Sequence, residues 1–251
     1  MPSSTATAWI SPSTRTSVIE NLVSGVVLSS TEIPDRYNPS NVGILEDYLY
    51  QQIRSQEYDC LANLAILKLY QFNPDLYNPD VVVNILLKAL TAAPLPDFSH
   101  CLSLFDERPP APKSEDPLPD LIPSLSTMHT LLIQCRFPAF WTLYHSEQLE
   151  PLRENYTIEY VGFEDAIREV VVRAVKTSFT KISSERLGSY LNLRGAELEA
   201  FAEQHEWTFD ASAGIFTIPA NPDNEIESIV VQEQIELKQL TNIIAHTTLK
   251  R

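Results

Sequence analysis

The stretch that decides the fold class is residues 59–74, Asp-Cys-Leu-Ala-Asn-Leu-Ala-Ile-Leu-Lys-Leu-Tyr-Gln-Phe-Asn-Pro. A helix that is apolar around most of its circumference is buried among other elements. Asp59 stands where a carboxylate caps the first amide groups, and Asn73-Pro74 ends the helix because the residue before proline avoids the α region. The stretch therefore predicts a buried helix over 59–72, and between Leu61 and Phe72 its only strongly polar side chains are Asn63, Lys68 and Gln71.

Helical periodicity continues on both sides of this stretch. The patterns cover residues 17–29, 40–56, 59–72, 79–93, 97–106, 119–135 and 137–146. Successive helices with short connections predict a mainly α domain over 18–160, either a helical-repeat (HEAT-like) superhelix or a compact bundle. Residues 1–17 are rich in Ser, Thr and Pro and are predicted to be a disordered tail.

Two features qualify this domain. In the 79–93 pattern Asn84, Lys88 and Thr91 recur at i, i+4 and i+7, which predicts that one narrow polar stripe faces water. Residues 107–123 hold six prolines mixed with charged residues, a composition that blocks helix and central strand. We therefore expect a loop over 107–123.

After Gly162 the pattern changes to that of a second domain, over residues 161–219. An amphipathic helix from Phe163 to Phe179 is followed by an extended piece near Lys181 and by two further helices. Two strand candidates close the segment, at 207–210 and 215–219. The order helix, strand, helix, helix, strand, strand is typical of a winged helix.

Residues 220–251 are predicted to form a C-terminal helix and tail. The helix runs from 225 to 249, and its apolar side chains fall near heptad spacing, at Val230, Leu237, Leu240 and Ile244. Glu233 interrupts this seam. Because so narrow a stripe is not stable alone, it needs a partner surface in this chain or in another.

Charge argues against nucleic acid as the direct partner. The 33 acidic and 18 basic residues give a net charge of −15. The last helix of the predicted winged helix, residues 194–206, is the one expected to read a nucleic acid, and it carries one basic and four acidic residues, whereas a phosphate backbone demands the opposite sign. We therefore interpret the last strand as an edge for protein pairing through Ile215, Phe216, Thr217 and Ile218. An RNA-binding module with a basic surface patch is the alternative.

Motifs for catalysis, cofactors and metals are not found in the sequence. The six glycines form no phosphate-cradling loop, and the three cysteines and five histidines show no zinc-ligand spacing. The apolar run from Val81 to Leu90 is too short to span a membrane. We expect a cytoplasmic protein that is not an enzyme and needs no cofactor.

Several of these segments carry a specific resemblance. They are the Tyr37-Asn38-Pro39 entry, the 61–74 helix, residues 85–91, Asp97-Phe98, residues 137–141, residues 162–165 and Glu206-Trp207. In these segments the chain resembles the family of subunit k of eukaryotic translation initiation factor 3, which shares a helical-repeat plus winged-helix architecture with subunits of the proteasome lid and the signalosome.

The resemblance has functional implications. It implies a scaffolding role in the assembly of the initiation complex on the small ribosomal subunit. It also implies that the partners are other subunits of the factor, subunit l especially, and that a terminal helix joins a shared bundle. The rival within the same class is the small winged-helix subunit of the proteasome lid or signalosome.

Overall fold

The computed structural model describes residues 38–106, 117–225, 239–241 and 244–245. The tail at 1–17 and the predicted helix at 17–29 lie outside these residues. The first part of the described chain is helical: α1 Val42–Ser55, α2 Cys60–Phe72, α3 Pro79–Thr91, α4 Asp97–Asp106, α5 Leu118–Ile133 and α6 Phe137–Tyr144. A π-helical segment, Arg153–Thr157, precedes the second part. The mainly α class is confirmed.

The ends of α2 lie where the sequence predicts them. The Asp59 carboxylate accepts a hydrogen bond from the Ala62 amide at 3.0 Å, and the helix stops at Phe72, just before Asn73-Pro74. On the buried side the Gln52 side-chain amide donates to the Asn63 side-chain oxygen at 3.0 Å, and the Asn63 side-chain amide donates to the Gln52 side-chain oxygen at 3.4 Å. The buried amide of Asn63 is thus satisfied by α1, and removing that partner would cost more than the bond itself contributes.

Burial of α2 is less complete than predicted. Ile66, Leu67 and Leu69 are in the core, but Leu61 and Phe72 keep 65% and 57% of their surface exposed. The predicted burial is therefore found on most of the helix, while the side that carries Leu61 and Phe72 faces solvent. An apolar circumference shows that a helix lacks a polar face. It does not show how many sides of the helix other elements cover.

Helix α3 is the central helix of the described fold, because it packs against α1, α2, α4, α5 and the later helix Phe163–Ser178. The prediction that its polar stripe faces water is wrong, since Asn84 and Lys88 are 6% and 1% exposed. The Lys88 ammonium donates to the Glu57 carbonyl at 2.6 Å and lies 4.6 Å from the centre of the Tyr160 ring. The stripe is covered by chain segments from outside the helix pattern.

The buried ammonium makes stability depend on pH. Burial lowers the pKa of Lys88 to about 8, although Glu57 acts in the opposite direction. Because the unfolded chain keeps its proton up to the ordinary lysine pKa, the folded state gains stability as pH rises from about 8 to about 10.5. The parent should therefore gain roughly 3 kcal/mol relative to Lys88→Met across that window of about 2.5 pH units.

Chemical denaturation of both proteins at several pH values measures this difference. Burial also raises the pKa of Cys101 and of Tyr70, and these two groups lower the stability of the folded state as pH rises above about 9. Both proteins contain them, so their effect cancels in the difference between the parent and Lys88→Met. Two stability curves that stay parallel from pH 7 to 10.5 would contradict the assignment.

The predicted loop over 107–123 ends too late. Residues 107–116 lie outside the described part of the chain, but α5 already begins at Leu118, with Pro119 in its first turn and Pro123 inside it. Proline is accepted in a first turn, where its missing N–H has no partner in any case. Leu118 and Leu125 are fully buried, so core packing holds this proline-containing start in a helix.

The second part of the chain is a winged helix. Its elements are α7 Phe163–Ser178, β1 Lys181–Ser183, α8 Ser184–Leu191, α9 Ala196–Gln204, β2 Thr208–Asp210 and β3 Ile215–Thr217. The strands form one antiparallel sheet in the order β1-β3-β2, with Phe216 opposite both Ile182 and Phe209. The predicted order of elements is confirmed.

The sheet order corrects the prediction of a free edge at residues 215–218. Strand β3 lies between β1 and β2, so both sides of its backbone are already paired. Phe216 and Ile218 are buried, at 0% and 3% exposure. Sequence patterns identify strands, but the order of strands depends on pairing between distant residues. In this sheet the outer strands are β1 and β2.

One continuous hydrophobic core joins the two parts, because buried residues from α1 to β3 form a single cluster. The Trp141 indole N–H on α6 donates to the Tyr190 carbonyl on α8 at 2.8 Å. Helix α7 packs on the central helix α3. The division into a domain at 18–160 and one at 161–219 stays a prediction, and the core crosses its boundary.

Candidate protein-interaction surfaces

Neither a metal-binding cluster nor an activated buried thiol is found among the described residues. None of their His, Cys, Asp and Glu side chains group so as to hold a metal ion. Burial raises the pKa of Cys101 to about 12, which keeps the thiol protonated and a poor nucleophile. No helix in this part of the chain is long and apolar enough to cross a bilayer. Several exposed features of this part of the chain suit contact with another protein.

The first such surface is the outer edge of β2. Its three residues are exposed, and Phe209 keeps 37% of its surface in solvent while its ring stacks on Phe216 at 4.5 Å. The adjoining turn is firmly built, because the Asp210 carboxylate accepts hydrogen bonds from the Ser212 amide and hydroxyl at 2.9 and 2.6 Å. A rigid wing thus presents an unpaired strand edge within the described chain, suited to strand addition.

Sequence reasoning missed Phe209 as a candidate and chose β3 instead. Ile215 and Thr217 are half-buried between their neighbours, and Phe216 and Ile218 are core residues. Phe209 does lie within the strand candidate at 207–210, so its presence in a strand was readable. The sequence did not show that this strand lies at the edge of the sheet.

The C-terminal stripe is described only in part. Val230 and Leu237 lie outside the described residues. Residues 239–241 and 244–245 are helical, and Leu240 and Ile244 expose 43% and 58% of their surface. These two apolar side chains are therefore accessible on the second half of the predicted tail helix.

A further exposed apolar pair follows the π-helical segment. Ile158 and Val161 expose 76% and 53% of their surface, more than most large apolar side chains in the described chain. The sequence around them shows no clear helical or strand period, so pattern analysis did not single them out. Singly exposed apolar residues are common on protein surfaces, and this pair by itself assigns no partner.

Helix α9, which occupies the position of a recognition helix, presents acidic groups to solvent. The carboxylates of Glu197, Glu199 and Glu203 are all on exposed residues, as is that of Glu206 just beyond the helix. A phosphate backbone is repelled by such a face, and binding requires clustered Lys and Arg.

We expect the intact chain to show no measurable binding to duplex DNA or structured RNA at physiological salt. The charge-reversed variant Glu197→Lys, Glu199→Lys, Glu203→Lys is the matched test, because it keeps the helix and inverts its field. Fluorescence anisotropy should show weak, salt-sensitive binding for this variant only. Tight, salt-dependent binding by the parent would revive the RNA-binding alternative.

Comparison with known proteins agrees with this architecture. The model of the CSN8/PSMD8/EIF3K family matches residues 76–228, which run from the turn before α3 through the whole winged helix. The chain belongs to the CSN8/PSMD8/EIF3K family. The family resemblance read from the sequence motifs is thereby confirmed.

Within the CSN8/PSMD8/EIF3K family, several similar relatives bear one name. A protein of Mycosarcoma maydis is 44% identical over 98% of this chain and 97% of its own length. Proteins of Cryptococcus neoformans and Aspergillus oryzae are 37% and 35% identical, over 94% and 92% of this chain and 94% and 93% of their own lengths. Each is named eukaryotic translation initiation factor 3 subunit K.

Proposed function

We propose that the chain is a non-catalytic scaffold subunit of eukaryotic translation initiation factor 3 that takes part in assembling the initiation complex on the small ribosomal subunit. The observation that carries the proposal is the nearly end-to-end similarity to relatives named subunit K of this factor. Similarity over the whole length includes the winged helix and the tail, the two parts suited to contacts between subunits.

The described surface supports a scaffold. A strand edge at β2, a partly exposed tail stripe and a core shared by both parts suit a rigid body that holds other chains. Strand addition supplies main-chain hydrogen bonds and leaves specificity to side chains such as Phe209. In this proposal β2, rather than β3, receives the strand of a neighbouring winged helix.

The proposed partners are the other subunits of initiation factor 3, subunit l in particular, and through them the small ribosomal subunit. The proposed site of action is the cytoplasm. The partner-binding residues proposed on the tail are Val230, Leu237, Leu240 and Ile244. Helices of such length are marginal alone in water, so a bundle of partner helices would supply the missing apolar contacts.

The alternative within the family is a subunit of the proteasome lid or signalosome. The family description joins three kinds of protein, and the winged helix by itself does not separate them. The relatives' names favour initiation factor 3. Recovery of a different assembly with the tagged chain would support the alternative.

The tail proposal predicts that Leu237→Asp with Leu240→Asp loses the initiation-factor partners in a pull-down, while the isolated chain keeps its helical signal and melting temperature. Two carboxylates in an apolar seam must be desolvated on binding, which opposes association. The matched control is Gln232→Asp with Gln239→Asp, which adds the same charge on the opposite side of the predicted helix. Equal recovery of partners by both variants would contradict a partner-binding stripe.

A further inference from the structure

A cavity of about 750 Å³ lies between the helical part of the chain and the winged helix. The end of α5, the start of α6, one side of α7 and the chain after β3 form its walls. Its lining is mostly apolar and includes Leu132, Ile133, Phe137, Val170, Ala174 and Ile218. Ile133 exposes 44% of its surface although it lies next to the core residue Leu132. We call this cavity the interdomain groove.

The chain leaves the winged helix at the mouth of the interdomain groove. Residues 219 and 221–223 form part of its rim. The Asn221 side chain donates to the Lys176 carbonyl at 3.2 Å, and the Asn224 side chain donates to the Phe179 carbonyl at 3.4 Å. The Asn221 amide also donates to the Asn224 side-chain oxygen at 2.9 Å. The segment before residue 226 is thus held at the end of α7, beside the groove.

The residues that follow have the composition to fill an apolar groove. Residues 226–231 read Ile-Glu-Ser-Ile-Val-Val. Arg173 and Lys176 line the groove together with Glu206 and Asp223, so the formal charges of these groups balance and the single carboxylate of Glu227 meets no net repulsion. Burial of apolar surface therefore dominates the free energy of placing residues 226–231 in the groove.

We propose that residues 226–231 of this chain dock in the interdomain groove, with Ile229 and Val230 packed against the wall formed by α5 and α7. Direct attachment gives the segment an effective concentration in the millimolar range, which a separate chain does not reach. The docked segment covers Ile133 and bridges the helical part and the winged helix.

The docking changes one residue assignment within the proposed function, and the assignment of the remaining tail residues to partner helices rests on that function. Val230 is assigned to the chain's own body, while Leu237, Leu240 and Ile244 remain for partner helices. Docking of residues 226–231 would thereby fix where on the body the partner-binding part of the tail begins and which way it points.

Cys135 provides a direct test, because its exposed thiol lines the groove. We would measure the alkylation rate of Cys135 in the isolated full chain by peptide mass spectrometry and compare it with Ile229→Asp, Val230→Asp. A docked segment exposes the thiol only on local opening, so the variant should react about tenfold faster than the parent. The control variant Thr247→Asp, Thr248→Asp adds the same charge at the far end of the tail and should react like the parent.

Equal alkylation rates in the parent and in the Ile229→Asp, Val230→Asp variant would overturn the proposal. Protection that disappears on dilution would also overturn it, since a second copy would then cover the groove. A second measurement places single cysteines at positions 226–231 and tests disulfide formation with Cys135, which requires Cα atoms about 4.4–6.8 Å apart. At least one position should pair, and a complete failure to pair contradicts docking. Both measurements use the isolated chain, so their failure is distinct from a failure to bind initiation-factor subunits.

Discussion

Replacing Trp141 by alanine should destabilise the chain by about 3 to 5 kcal/mol, the usual cost of removing a large buried aromatic side chain. Trp141 is 3% exposed, and the centre of its ring lies 5.2 Å from that of Phe140. The Arg168 guanidinium lies 5.6 Å from the centre of the Trp141 ring, and the indole N–H donates a hydrogen bond to the Tyr190 carbonyl of α8. Chemical denaturation followed by circular dichroism measures the loss.

Trp141→Phe separates the ring from its hydrogen bond. Phenylalanine retains most of the apolar contact but leaves the Tyr190 carbonyl without its donor, which should cost about 1 to 3 kcal/mol. We therefore expect stability in the order parent, Trp141→Phe, Trp141→Ala. If Trp141→Ala is as stable as the parent, the ring does not join the helical part to the winged helix.

Leu67→Ala should destabilise the chain by about 2 to 5 kcal/mol through lost transfer free energy and the cavity left behind. Leu67 lies on the buried side of α2, with 3% of its surface exposed. Leu61→Ala is the matched control, because it removes the same atoms from the same helix at a residue that is 65% exposed. The control should lose less than about 1 kcal/mol.

The two leucines also separate two views of α2. A large loss at Leu67 with a small loss at Leu61 is the result expected for a helix buried on one side. Equal, large losses at both positions would mean that another part of the chain covers Leu61, and small losses at both would remove α2 from the core.

The helices were readable from the sequence because their ends carry local signals. The Asp59 cap and the Asn73-Pro74 stop act within a few residues, and α2 and α3 begin and end within two residues of the predicted bounds. The pattern at 119–135 also agrees with α5 within two residues, but the predicted loop over 107–123 overlaps the start of that helix. Prolines weigh against a helix in a pattern, whereas the buried Leu118 and Leu125 keep this segment helical.

Predictions failed where the answer depended on distant parts of the chain. The sequence places Lys88 on a solvent-facing stripe, but in the fold its ammonium contacts the Glu57 carbonyl and the Tyr160 ring, and it is buried. Strand β3 looks like an edge until β1 pairs with it from the other side. The same limit applies to the candidate surfaces: the tail stripe has a local period and was predicted, whereas the β2 edge and the interdomain groove arise only from the assembled fold.

The central claim is that this chain is a subunit of translation initiation factor 3, and the composition of the assembly recovered with it tests that claim most directly. We would tag the chain in its own cells, purify it under native conditions and quantify the recovered proteins by mass spectrometry. The account predicts initiation-factor 3 subunits in near-equal amounts with the chain, subunit l among them, and the small ribosomal subunit at lower yield. Recovery of proteasome-lid or signalosome subunits in place of initiation-factor subunits, or of the chain alone, would contradict it.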